Sequence, residues 1–140
     1  MAVLTFDPKQ FSMIFSGKII SGFADGTFIT VERNEQMFNL KIGVDGEGTR
    51  VKSNNKSGKI SIILMQSSQS NDDLSAIAAA DELTNSGTGE ALVKDPSGRT
   101  VCAAQTAWLQ KYPNAEFSKE AMTRTWVLET DSLEMFIGGN

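Results

Sequence analysis

There is no histidine among the 140 residues of this chain. Histidine is the side chain that most often serves as general base or metal ligand near neutral pH. Its absence excludes Ser-His-Asp and Cys-His catalysis and ordinary zinc sites. Carboxylate pairs or a lysine base are the acid–base chemistry that remains, so an enzyme is disfavoured and none is expected. There is one cysteine, Cys102, so no internal disulfide can form and nothing points to an oxidising compartment. Set between Val101 and Ala103, Cys102 reads as a small apolar core residue. Long apolar runs are missing too: the longest block, Ile62 to Met65, is far too short to cross a membrane. The opening MAVLTFDPK lacks a basic segment followed by an apolar stretch, so no signal peptide is expected and folding in a cytoplasm is.

What is present is ordinary for a globular domain, with 40% apolar and 21% charged residues, too apolar for disorder. The length fits one domain over residues 1–140 and is enough to bury a core without staples. The net charge of −4 disfavours tight phosphate binding.

Period-two alternation dominates the chain. Phe11, Met13 and Phe15 share one side of a predicted strand that Gly17 ends. Asp25-Gly26, between Ile19–Ala24 and Thr27–Arg33, is a hairpin signal, because a type I′ turn needs positive φ at both central residues. Phe38, Leu40 and Ile42 alternate in a further strand, followed by a long glycine-rich stretch, Gly43 to Lys59, with few apolar residues. Ile60, Ile62 and Leu64 line one side of the next strand and Ile63 and Met65 the other, so cover is expected on both sides. Ser70 to Thr84 is the one clear helix: Ser70 and Asp73 resemble a capping box, Asp72 and Asp73 favour the dipole, and Asn85-Ser86-Gly87 stops it. Asp95-Pro96-Ser97-Gly98 suits a type I turn joining two strands. Ala103 to Lys111 is open between strand and helix. Thr123–Thr130 and Leu133–Ile137 are the last two strands. The sum is a mainly β (α+β) domain: two packed antiparallel β-sheets, sandwich- or barrel-like, one flanking α-helix and a long extended loop.

Candidate sites are thin. Asp45-Gly46-Glu47-Gly48 lacks the carboxylate spacing of a calcium loop, and the glycines do not form a phosphate-binding loop, so neither metal nor cofactor is expected. Arg50, Lys52, Lys56 and Lys59 cluster without an aromatic to stack on bases. A solvated loop, or one that docks on an acidic surface of another copy, fits them better than a nucleic-acid site. The pairs Asp72-Asp73 and Asp81-Glu82 suit a helix cap and a solvated helix side rather than catalysis.

Three stretches belong together: FSMIFSGKIISGFADGTFITVER at residues 11–33, FNLKIGVDGEGTRVKSNNKSGKISIILMQSSQSND at residues 38–72, and the terminal FIGGN. They resemble the tail tube protein family of contractile-tailed bacteriophages over nearly the whole chain, most specifically through SGKISIILMQSSQSND. The resemblance implies hexameric rings stacked into a hollow tube in the virion tail, assembled in the host cytoplasm. It implies sheath, baseplate and tail terminator partners, and DNA that passes the lumen without specific binding or any membrane contact. Tubes of contractile injection and secretion systems are related. A small-ligand-binding β-barrel is the competing class, and it would need a closed apolar pocket that no residue cluster announces.

Within that resemblance the segment Val44, Asp45, Gly46, Glu47, Gly48, Thr49, Arg50, Val51, Lys52, Ser53, Asn54, Asn55 and Lys56 is the candidate ring-stacking loop. Six −4 chains carry roughly −24, and a lumen wall bearing part of it would repel DNA phosphates and let DNA slide. Glu32, Glu129 and Glu134 are the candidate lumen carboxylates.

Overall fold

The computed structural model describes residues 3–139; Met1 and Ala2 of the opening stretch and the final Asn140 of FIGGN lie outside the described residues. A 3-10 turn at Pro8–Gln10, held by Lys9 N–H donating to the Asp7 carboxylate, leads into the first strand. The elements are β1 (Ser12–Phe15), β2 (Lys18–Ile19), β3 (Ile29–Arg33), β4 (Phe38–Ile42), β5 (Gly48–Lys52), β6 (Gly58–Met65), α1 (Ser70–Thr84), β7 (Gly89–Lys94), β8 (Val101–Leu109), β9 (Thr123–Thr130) and β10 (Glu134–Phe136). Eight strands form one sheet in the order β2-β1-β7-β8-β9-β6-β3, with β10 on β8; β4 and β5 form a second sheet of two. All the strand pairs are antiparallel. The chain is thus mainly β with two antiparallel sheets and one helix. The division is unequal, and among the described residues no barrel closes.

Alternation decides which side of the large sheet is dry. Met13, Phe15, Ile60, Ile62 and Leu64 are fully buried, and Val93, Cys102, Trp126 and Leu128 join them in one cluster. Burying each large side chain contributes about 1.5–3 kcal/mol. Strands from both ends of the sheet share this layer because the sheet rolls. Phe11 beside β1 and Phe28 beside β3 meet edge to face at 5.4 Å without a ladder between them. Helix α1 covers the open side, with Leu74 fully buried and Ile77 and Ala78 partly so. On β6 the expected double cover is incomplete: Ile63 and Met65 are only half-buried on the outer side.

A bulge keeps β8 in phase. Between Gly89 and Ala91 of β7 the register shifts by one, which sets Gln105 and Thr106 both outward. Ala104 and Ala107 then both point inward. β9 and β10 lie end to end along β8, and they part from it around Asp131 and Ser132. There the Thr130 hydroxyl donates to Thr106 O at 2.7 Å, and Leu133 N–H donates to Lys56 O at 2.8 Å.

Several local expectations give way to these long-range pairings. The Asp25-Gly26 hairpin does not form. Both of its arms run along one edge of β6: Met65 N–H donates to Gly22 O, Ala24 N–H to Ile63 O, and Ile63 N–H to Phe28 O, each at 2.9 Å. Asp25-Gly26 is a loop-out between them, with Gly26 at φ +89°. The tight two-residue turn instead falls at Ser16-Gly17, both at positive φ, joining β1 to β2. The Ser70–Asp73 capping box is also absent. Gln69 precedes the helix without a side-chain cap, and Ser70 Oγ accepts from Ser21 N–H at 2.9 Å, tying the helix start to the chain leaving β2. The helix stops as expected, with Asn85 in the left-handed region. The open stretch from Ala103 is strand as far as Leu109.

Leu74→Ala should destabilise the unassembled chain by about 2–5 kcal/mol, because it opens a cavity under the helix. Leu40→Ala, outside the core, should stay within about 0.5 kcal/mol. Urea titration of the two variants checks the contrast, and equal losses would contradict this assignment of the core.

Candidate functional site

The stretch from Val44 to Lys56 is not one extended loop. Val44, Asp45, Gly46 and Glu47 make a turn, Gly48 to Lys52 is strand β5, and Ser53, Asn54, Asn55 and Lys56 return the chain to β6. The turn closes through Gly43 N–H donating to Glu47 O at 2.7 Å and Gly46 N–H donating to Gly43 O at 3.0 Å, with Gly46 at φ +89°. Opposed residues across β4–β5 are Phe38 and Lys52, Leu40 and Arg50, Ile42 and Gly48. One side of the hairpin therefore carries all of the apolar residues of β4. Asn39, Lys41, Thr49 and Val51 form the other. The strand signal of β5 was weak because Thr49 and Val51 alternate with Arg50 and Lys52 right after a glycine-rich turn.

This hairpin joins no ladder of the large sheet. Leu40 is 70% exposed, Ile42 61%, and Val44 at the tip is fully exposed. Its basic residues sit on the shaft, where the Arg50 guanidinium lies 3.9 Å from the Phe38 ring centre. Lys56 reaches Glu134 of its own chain at 3.7 Å. The base is fixed: Ser53 N–H donates to Met37 O at 2.8 Å, and Arg33 makes two bonds to Leu133 O at 3.0 and 2.8 Å. A two-stranded hairpin alone is marginal in water, and this one leaves its best apolar area uncovered.

The candidate carboxylates lie on the outer side of the large sheet. Glu32 opposes Lys59, and Lys59 opposes Glu129, making one row across β3, β6 and β9. Gln110 Nε2 donates to Glu129 at 2.9 Å. Thr30, Ser61 and Val127 make the next row, Ile63 and Thr125 the one beyond, and Trp108 of β8 opposes Glu129, so this wall mixes hydroxyl and apolar side chains around a row of alternating charge. Lys59 belongs here rather than to the hairpin. Glu134 faces out on β10 beside an open groove of about 550 Å³ that Glu90 and Asp131 also line. Sequence reasoning missed a second, smaller cavity between β9, α1 and the loop after β8, lined by Tyr112, Pro113, Arg124 and Trp126. Among the described residues no three carboxylates or cysteines converge as metal ligands. Asp81 has a structural role, accepting from Gly87 N–H at 3.2 Å.

Two titrating groups are perturbed. Burial pushes the Cys102 thiol up, which leaves it unreactive in the core. At Asp95 burial raises the pKa, but hydrogen bonds from Ser97 and from the Thr100, Gly98 and Arg99 backbone outweigh it and hold the carboxyl below the usual carboxylate range. The Asp95 carboxylate clamps the β7–β8 turn, with Ser97 Oγ at 2.9 Å and Thr100 N–H at 3.2 Å.

The fold is a mainly β domain with one projecting hairpin, whose apolar side its own chain leaves exposed. The family described as the bacteriophage PhiTE tail tube protein matches residues 13–138, and the chain belongs to that family. It is a phage tail structural protein. It is similar to structural protein ORF10 of Pseudomonas phage KPP10, 30% identical over 144 residues, covering 97% of this chain and 83% of that protein. Among solved structures it is similar to the tube-terminating cap of the anti-feeding prophage, with TM-score 0.61, 9% identity, and coverage of 99% of this chain and 95% of the other. It is likewise similar to the sheath/tube terminator of the extracellular contractile injection system PVC in its extended state, with TM-score 0.65, 10% identity, and coverage of 98% and 100%. At those identities the likeness is one of fold alone.

A carboxylate whose folded pKa is lowered stabilises above its unfolded pKa and loses that contribution as pH falls through the folded value. Asp95→Asn should therefore lose less of its melting temperature than the parent chain between about pH 6 and about pH 3. Identical slopes in thermal melts would count against the clamp.

Proposed function

We propose that six copies of this chain close into a ring, and that rings stack into the hollow tube of a phage tail through which DNA passes during ejection. The tube would be assembled in the host cytoplasm inside a sheath, between a baseplate and a terminator, and the chain would carry out no catalysis. The observation that carries this reading is the β4–β5 hairpin. Its apolar side belongs to no core of its own chain, so a neighbouring copy is the natural cover. A contact between two unlike surfaces propagates without closing, which suits ring stacking. Val44 to Lys56 is the stacking arm in this reading. The row of Glu32, Lys59 and Glu129, with Glu134 beyond it, would face the lumen beside Thr30, Ser61 and Val127. Phosphates would slide past such a wall, since it offers few bare cations.

The tube of a contractile injection or secretion system is the neighbouring reading, and membership of a phage tail tube family favours the phage. A ligand barrel has less support: among the described residues the strands do not close, and the groove beside Glu90 and Glu134 is open and polar-rimmed.

Negative-stain electron microscopy of the concentrated chain, alone and with a baseplate initiator, should show hollow rings or tubes. A variant with 45–55 replaced by a short linker should melt like the parent, because the hairpin shares no ladder with the large sheet, and should not stack. A chain that stays monomeric even with the initiator would overturn the tube. A cryo-EM map that put Glu32, Glu129 and Glu134 on the outer wall would end the lumen assignment alone.

A further inference from the structure

The hairpin and the smaller cavity lie at opposite ends of the large sheet. Strand β6 begins at Gly58, where the hairpin returns, and ends at Met65 beside Gln66, which lines the cavity. Seven residue steps put the two about 23 Å apart along the strand. A donor at one end and an acceptor at the other are what head-to-tail stacking requires.

The cavity holds about 270 Å³. Tyr112, Pro113 and Ala115 give it apolar walls over the buried Trp126, and Asn71 sits at its helix side. Arg124 is its one charged lining residue and has no ion pair among the described residues. That guanidinium rests 5.2 Å from the Phe117 ring centre and donates to Thr123 O at 3.2 Å. Phe117 is itself 79% exposed on the same loop. The hairpin tip has the matching chemistry: Val44 stands fully exposed between Gly43 and Asp45, with Glu47 beyond. The wider groove is the wrong acceptor for this tip. It carries Glu90, Asp131 and Glu134, and Lys56 at the hairpin's own base contacts Glu134 there. Like charges would repel Asp45 and Glu47.

We propose that the hairpin tip of one copy docks in the Tyr112–Trp126 cavity of the next, with Val44 in the apolar pocket and Asp45 or Glu47 paired to Arg124. This rests on the ring-stacking reading and names the acceptor for it. The contact places an apolar side chain against Tyr112, Pro113 and Ala115 and a carboxylate against a guanidinium already oriented by Phe117.

The test uses the full chain with Cys102→Ser, and Val44→Cys with Ala115→Cys. Oxidation of assembled tubes should give a ladder of cross-linked copies on a non-reducing gel, absent from unassembled chain. Arg124→Glu should lower tube yield by at least about tenfold, and adding Asp45→Lys and Glu47→Lys should recover it. If tubes form, loss of 45–55 stops stacking, and yet there is no ladder and Arg124→Glu stacks normally, the acceptor is elsewhere and only this inference fails. If chains lacking 45–55 stack as well as the parent, or no tubes form even on an initiator, the inference and the stacking arm fall together.

Discussion

Trp126 buries its indole ring and still needs a partner for the ring N–H, and Asn71 supplies it at 2.9 Å. The Asn71 amide nitrogen in turn donates to Met65 O at 3.0 Å and Ser68 O at 3.1 Å. One side chain thereby ties the middle of β9, the end of β6 and the first turn of α1. An unpaired buried N–H costs about 1–3 kcal/mol, so the helix cannot slide along the sheet without that loss. From that position it seals the side that alternation makes apolar: Leu74 joins the layer that Ile60, Ile62 and Leu128 also occupy. With that side committed, the outer side of β3, β6 and β9, with its row of Glu32, Lys59 and Glu129, is left to meet whatever lies outside the chain.

The parts of this fold legible in the sequence are those whose two sides differ. Met13 and Phe15 alternate with Ser12 and the half-buried Ile14, and both are fully buried. The β7–β8 turn, the end of the helix at Asn85 and the burial of Cys102 follow from similarly local chemistry. Errors arose where a local signal competed with β6. Asp25-Gly26 has the chemistry of a hairpin turn, yet both flanking segments gain more by bonding to the most buried strand of the sheet. Ser70 has the chemistry of a cap, yet its hydroxyl is taken by Ser21, a neighbour only in space. The slip from Ala104 to Ala107 is written in the sequence as a broken alternation, but only pairing with β7 shows it to be a bulge.

The candidate site divides the same way. The arm was visible as a glycine-rich, cationic interruption after Ile42, though its second strand was not, because Thr49 and Val51 have no apolar partners opposite them. The carboxylates of Glu32 and Glu129 were placed on an outward side by parity alone, while the intervening Lys59 that offsets them emerges only from register. The cavity around Tyr112 and Arg124 was invisible, since its walls come from a loop, a strand and a helix brought together by the core.

The attachment of the hairpin has a mechanical consequence. It leaves the body through Arg33 on one side and Gly58 on the other, and these two residues are directly paired. A pull on the arm along the strand axis therefore enters β3 and β6 together. The eight-residue register between β6 and β9 is then loaded lengthwise, so its hydrogen bonds resist in parallel rather than opening one at a time. Arg33, bonded twice to the Leu133 carbonyl, spreads that load to the segment joining β9 and β10. A load carried by the hairpin along these strands is therefore met in shear rather than in peeling.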